Sequence, residues 1–202
     1  MYNGPGGTFQ VEVAMNRGLL YEDNFRPQFS GHETFPLRYG WLKKVFDAVH
    51  ELETQGQKKA AKDLFLKDDA IARFGVGKNM VASMRHWATS SNIVTEDEDK
   101  DIITTKFAKL ILADHGLDPW MENMSSIWSI HWHIASCSSK ATYIWFFSYF
   151  NNILFDRGSI VQHLLNLCED RVWNAVSAAT LKRDVECLVR TYVNKPSKTD
   201  DF

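Results

Sequence analysis

Asp68-Asp69-Ala70-Ile71-Ala72-Arg73-Phe74-Gly75-Val76-Gly77-Lys78-Asn79-Met80-Val81-Ala82-Ser83-Met84-Arg85-His86-Trp87 is the stretch that decides how this chain is read. It predicts two helices joined by a tight turn. Asp68 is a reasonable N-cap for the first helix, whose inner face takes Ala70, Ile71 and Phe74. Gly75 stands where the chain must turn sharply, in a left-handed conformation that costs glycine little. Val76 plugs the space between the helices and Gly77 starts the second one, a presumed reading helix over residues 78–88. Val81, Met84 and Ala88 then fall on the side that faces back to the first helix. Lys78, Asn79, Ser83, Arg85 and His86 are placed on the opposite face, as donors suited to phosphates and base edges. From Gln57 to Val94 seven Lys and Arg stand against three Asp, a local charge of +4. Such a field suits DNA. The same pattern also fits a helical hairpin that packs only against protein. One departure is Ile71, four positions before the turn glycine, where a small residue is preferred.

Working outward, the acidic run Glu96-Asp97-Glu98-Asp99-Lys100-Asp101 occupies the place of a wing, with strand, turn and strand as one fitting arrangement. Acids do not grip phosphate, so this wing is expected to point away from DNA or to face a basic partner. Upstream, Leu37, Trp41, Leu42, Val45, Phe46 and Val49 recur at helical spacing, with Pro36 in the first turn and an end near Gly56. Residues 106–113 form a short amphipathic helix. Beyond Gly116 and Pro119, the rings Trp120, Trp128, Trp132, Trp145, Phe146, Phe147 and Phe150 are expected to build an aromatic helical core. A second, weaker helical pair covers residues 158–193, with Thr180 as cap, Leu181, Val185, Leu188 and Tyr192 buried, and Lys182 and Arg183 as a second pair of DNA contacts or simply a solvated face. The predicted organisation is an arm over residues 1–28, with a short strand at 9–13. A helix-turn-helix domain, winged or not, follows over 29–116, then a Trp-rich helical domain over 117–193 and a frayed tail over 194–202. The fold class is mainly α.

Composition bounds the rest. With 45% hydrophobic and 24% charged residues the chain is globular, and its net charge of −2 excludes a global cationic field for coating DNA. Cys137, Cys168 and Cys187 have no paired spacing, so neither a disulfide framework nor a CxxC zinc site is expected, and a reducing cytoplasm fits. No basic start or long apolar run suggests a signal or a membrane span. Phosphate-loop, HExxH and GxSxG signatures are absent. His32-Glu33 is the weak candidate for a catalytic base or metal ligand, set against a packing role at the entry to the next helix. On a helix, His131 and His133 diverge by about 200°, which suits chelation poorly. Asp114, His115 and Asp118 form a loose polar set, and His163 sits among leucines. No metal site is assigned.

Four stretches together resemble a bacterial family: Phe29-Ser30-Gly31-His32-Glu33-Thr34-Phe35; Gly75 to Val81 with Arg85 and Trp87; Ile127-Trp128 with His131-Trp132; and Thr180 to Val185 ending at Arg190-Thr191-Tyr192. This family was long labelled only as a domain of unknown function, and its genes lie beside sulfurtransferases similar to phosphoadenosine-phosphosulfate reductase. It resembles the SspB-like components of bacterial DNA phosphorothioation and anti-phage systems. The resemblance implies DNA binding with strand nicking, as a metal-dependent endonuclease using Mg²⁺ or Mn²⁺; binding alone needs no cofactor. It also implies a cysteine desulfurase, a sulfurtransferase and an ATPase as partners. Members continue past a Tyr-Val like Tyr192-Val193 into an acidic, Cys-Pro-containing segment, so on this resemblance the chain is a shortened form. Two other classes stay open: an assembly adaptor in the same system, and a transcriptional regulator of a defence operon, for which a homodimer is expected.

Overall fold

The computed structural model describes residues 18–57, 63–66, 69–173 and 176–193. Its helices are α1 Trp41–Thr54, α2 Asp69–Phe74, α3 Lys78–Ser90, α4 Lys106–Leu112, α5 Met124–Trp132, α6 Ala141–Ser148, α7 Arg157–Asp170 and α8 Ala178–Tyr192. Strands β1 Val94–Glu96 and β2 Ile102–Thr104 pair antiparallel between α3 and α4. The described chain is therefore mainly helical.

α1 is the floor of the first half. It starts one turn later than the spacing predicts, because Gly40 takes the N-cap in a left-handed conformation (φ 79°) and leaves Pro36 and Leu37 in the approach. Trp41, Leu42, Val45, Phe46, Ala48, Val49 and Leu52 bury as one stripe, the recurrence of an amphipathic helix. Its end is a Schellman motif: Gly56 is left-handed, with Gly56 N donating to Glu53 O and Gln57 N to Leu52 O. α3 and β2 pack on α1, and α2 packs on α3. Gly75 makes the turn at φ 67°, and Val81, Met84 and Ala88 are buried as expected. Two details differ. α2 is only six residues long and buries Ala70 and Phe74, while Ile71 stays 43% exposed. The proposed cap Asp68 lies outside the described residues, as does the strand expected at 9–13. The acidic run is a hairpin tip: Asp97 accepts the amides of Asp99 and Asp101 through its side chain, and Lys100 is left-handed.

The buried residues form two hydrophobic clusters. One joins α1, α2, α3, the hairpin and α4 to Ile130, Ile134, Tyr143, Cys187 and Leu188 from the second half. Its reach across residue 116 means that the expected 29–116 domain does not close its core alone. The other joins Ala141, Ile144 and Trp145 of α6 to Ile160, Leu164 and Leu167 of α7 and to Leu181 and Val185 of α8. Leu20 and Phe25 belong to this second cluster, so residues 18–28 are packed and are not a free arm; a single 3₁₀ turn, Leu19–Tyr21, seats Leu20. The largest difference concerns the rings. Trp145 is buried, but Trp120, Trp128 and Trp132, expected in a core, are 65%, 63% and 63% exposed. α5 buries only Ser126 and Ile130, and runs on into a π-helical segment, His133–Cys137.

Two left-handed positions give opposite expectations. Ala at Gly75 meets no atom within 4 Å, so Gly75→Ala should lose only the conformational preference, about 1 kcal/mol in urea denaturation. Val172 closes α7 at φ 51°, a region a β-branched side chain resists, and it is 88% exposed. Val172→Gly should therefore gain about 1 kcal/mol in the same measurement.

Candidate nucleic-acid interface

α3 presents three different surfaces. Its first turn is open: Gly77 is an extended N-cap with no side-chain hydrogen bond, so the leading amides are unclaimed by a cap. Lys78 and Asn79 are exposed there, beside a shallow depression of about 320 Å³ lined by Phe35, Gly77, Lys78, Asn79 and Met80. Ala82 and Thr89 continue the exposed edge, and Arg85 is part-exposed. Arg85 is not free: its guanidinium pairs with Glu96 of β1 at 3.4 Å and lies 5.9 Å from the Phe65 ring centroid. The hairpin thus holds an acid against the one arginine of the helix.

Ser83 and His86, expected among the donors of the outer face, are buried instead, at 0% and 9% exposure. The reason is a further layer. Residues 29–36 lie over that side of α3. Ser83 Oγ and Trp87 Nε1 both donate to Phe35 O, at 3.4 and 3.0 Å. A Cβ at Gly31 would come 2.8 Å from His86 Nδ1, which is why glycine stands at that position (φ 92°). Ser30, Glu33 and Thr34 are also left-handed, at φ 63°, 47° and 64°.

A run of left-handed residues survives only when its surroundings over-determine it. Here the determinant is Asp184 of α8, 3% exposed. Its Oδ1 accepts from Ser30 N and from His32 Nε2, each at 2.7 Å, and its Oδ2 accepts from Thr142 Oγ1 of α6 at 2.8 Å. Thr34 N donates to His32 Nδ1 at 3.0 Å, so the ring proton sits on Nε2, facing the carboxylate. From α8, Arg190 and Cys187 reach Thr34 O and Phe35 O. His32 is therefore a fastener, 2% exposed, and not a base open to substrate; Glu33 points to solvent.

The charges around this joint are set by burial. Burial works against charge on His32, while the Asp184 hydrogen bond and Cys187 work the other way, holding the proton on Nε2 against the carboxylate. His86, packed edge-on against the His32 ring, is held neutral: burial first, then the charge of Lys140, lower its pKa to about 2. Its Nε2 has no partner among the described residues. Burial also lowers Lys140 to about 8 despite the pull of Asp184, and its ammonium hydrogen-bonds Gln28.

The second candidate pair lies elsewhere. Ser177, not Thr180, caps α8, accepting from Thr180 N. Lys182 and Arg183 are exposed on the side of α8 turned from the buried Asp184, and Tyr192 is 41% exposed. Among the described residues no three His, Cys, Asp or Glu side chains converge. His131 bonds Tyr192 Oη through Nδ1 at 2.8 Å, whereas His133 packs on Phe107; the two do not meet. Asp118 turns its carboxylate to the amides of Glu122 and Asn123, and His163 lies exposed against Trp145. Cys137, Cys168 and Cys187 are unpaired thiols. No helix among the described residues is long and apolar enough to cross a membrane.

The fold is similar to that of solved proteins. Residues 29–202 match the family described as Protein of unknown function (DUF4007), and the chain belongs to that family. Among solved structures it is similar to SspB, at 28% identity and a TM-score of 0.71 over 84% of this chain and 51% of that one. It is also similar to a magnesium ion-bound SspB, at 27% and 0.69 over 84% and 50%. The chain thus spans about half the length of the SspB structures it matches. Comparison with curated proteins gave no match.

Two outcomes follow from the joint. Asp184→Ala leaves His32 and Ser30 N without their acceptor inside a closed core, and should cost about 3 kcal/mol in chemical denaturation. His86 has a folded-state pKa below its unfolded value of 6.5. Its contribution is fully present above pH 6.5 and is lost as pH falls toward 2, because only the unfolded chain takes up the proton there. Melting temperature should drop between pH 6.5 and 4, and the drop should be shallower in His86→Gln, measured by circular dichroism.

Proposed function

We propose that this chain is a DNA-binding component of a bacterial DNA phosphorothioation system, and that α2, α3 and the β1–β2 hairpin act as a winged helix-turn-helix. α3 enters the major groove by its amino end. The observation that carries this reading is the uncapped first turn of α3. Two exposed donors, Lys78 and Asn79, stand where the helix dipole favours a phosphate, one turn past the left-handed Gly75. The local excess of +4 supports it, as does the likeness to SspB.

The interface is narrower than the sequence suggests. Lys78 and Asn79 position the helix on phosphate, and Arg85 is the one side chain of α3 with a fork suited to guanine or phosphate. Glu96 competes for that fork, so the hairpin moderates affinity instead of adding a phosphate clamp. Such a surface tolerates many sequences, as a modification subunit must, where a regulator binds one operator tightly. The cysteine desulfurase, sulfurtransferase and ATPase of the same system are the proposed partners.

Fluorescence titration of mixed-sequence duplexes at several salt concentrations tests this. The wild type should bind with a steep salt dependence. Lys78→Ala should weaken binding evenly across sequences and lower the salt slope by about 1. Glu96→Gln, which frees Arg85, should strengthen it several-fold. Duplex binding absent at low salt, or equal in Lys78→Ala, would overturn the proposal in favour of an adaptor.

A further inference from the structure

The exposed cations of this protein fall into two groups. Arg73, Arg85, Lys109 and Arg157 each pair with a carboxylate, as does Lys43. Lys182, Arg183 and Arg190 of α8 are exposed and form no ion pair among the described residues, and the same holds for Lys78 of α3. The three on α8 share one face. At about 100° per residue, Lys182, Arg183, Glu186 and Arg190 span an arc of about 100° on the side of the helix away from the buried Asp184. Arg183 and Arg190 are two turns apart, about 10 Å along the axis. Glu186, between them, pairs with Arg157 of α7 at 3.0 Å. That pair is neutral, so three positive charges remain on the face.

The face leads back to α3. Arg190 Nη1 donates to Thr34 O at 3.1 Å. The next residue, Phe35, borders the depression at the amino end of α3 together with Lys78 and Asn79. The guanidinium of Arg38, also exposed, stands 5.7 Å from the Phe35 ring centroid. Lys78, Arg38, Arg190, Arg183 and Lys182 therefore follow one another from α3, past Phe35 and along α8. Glu33, exposed beside Thr34, is the acid that interrupts this path.

We infer that α8 is a second DNA-contacting element, and that one duplex lies across both helices, gripped on its phosphates by Lys78 at one end and by Lys182, Arg183 and Arg190 at the other. This rests on the duplex-binding reading of α3 and extends it. A duplex carries one charge for about every 1.7 Å of its axis, so cations strung along a helix meet phosphate wherever they fall and read no base. The exposed side chains of residues 182–190 are all charged, whereas a protein partner asks for an interface centre depleted of charge. The path also continues the uncapped amino end of α3, where a phosphate is already favoured. α8 seats α3 through Asp184 on one side and presents the cations on the other. The spacing of the two contacts is thereby fixed by the core and not by a mobile arm.

Titration of a mixed-sequence duplex of about two helical turns into the whole chain, repeated over a range of salt, tests it. Lys182→Ala/Arg183→Ala should bind about tenfold or more weakly and lower the salt slope by about 2. Added to Lys78→Ala, it should bring the total fall in slope to about 3. Both α8 side chains are exposed, so circular dichroism should show the fold intact; Arg190 is left in place because it also holds Thr34. Arg183→Ala should lower the slope where Lys106→Ala, which removes the same charge from α4, does not. An unchanged slope in the α8 variant beside a lowered one in Lys78→Ala would overturn the inference and leave α3 as the whole duplex site. An equal fall in Lys106→Ala would overturn it as well, because the loss would then follow overall charge. A fall in the α8 variant with Lys78→Ala unaffected would overturn the shared path, by placing the duplex on α8 alone. A wild type that binds no duplex at low salt would overturn both this inference and the reading beneath it.

Discussion

The carboxylate of Asp184 accepts hydrogen bonds from the backbone of Ser30, the ring of His32 and the hydroxyl of Thr142. Each donor comes from a different distance along the chain, and each would be unsatisfied without it. A buried carboxylate is tolerated only when its oxygens are occupied in this way. Here the occupation also fixes a loop that no local preference would produce, because three of its non-glycine residues are left-handed. The loop in turn roofs one side of α3 through Phe35 O and Gly31. The orientation of α3 is thus set from α8, across the boundary between the two hydrophobic clusters.

Much of this frame was legible. Gly75 marked the turn, and Val81, Met84 and Ala88 marked the inner face of α3; the acidic run marked a hairpin. A single helix pattern does not reveal a second layer. Ser83 and His86 sit opposite the inner stripe, where polar residues ordinarily meet water, but residues 29–36 cover them. The tryptophans failed in the reverse sense. Large rings at 120, 128 and 132 suggest a core, yet α5 buries only its Ser126–Ile130 edge and leaves them outside. Asp184 carried a signal that went unused. It falls three residues after Leu181 and one before Val185, inside a stripe that is otherwise apolar, and an acid in such a place must have partners.

The candidate interface is shaped as much by acids as by bases. Arg85 faces Glu96, and the hairpin tip offers Asp97, Glu98, Asp99 and Asp101. Were α3 to approach a polyanion, the negative hairpin tip would penalise orientations that bring it toward phosphate.

The Asp184 bonds also bear on the order of assembly. They link residues 152 and 154 positions apart, and Arg190 reaches Thr34 across 156. Contacts of that separation pay for loop closure late, after the local helices have formed. On the ribosome, α1, α2, α3 and the hairpin emerge long before α8, and α3 must wait with one flank uncovered until residue 184 arrives. α3 is therefore seated last, by α8, and synthesis that stops short of α8 yields a chain that has α3 but not its seat.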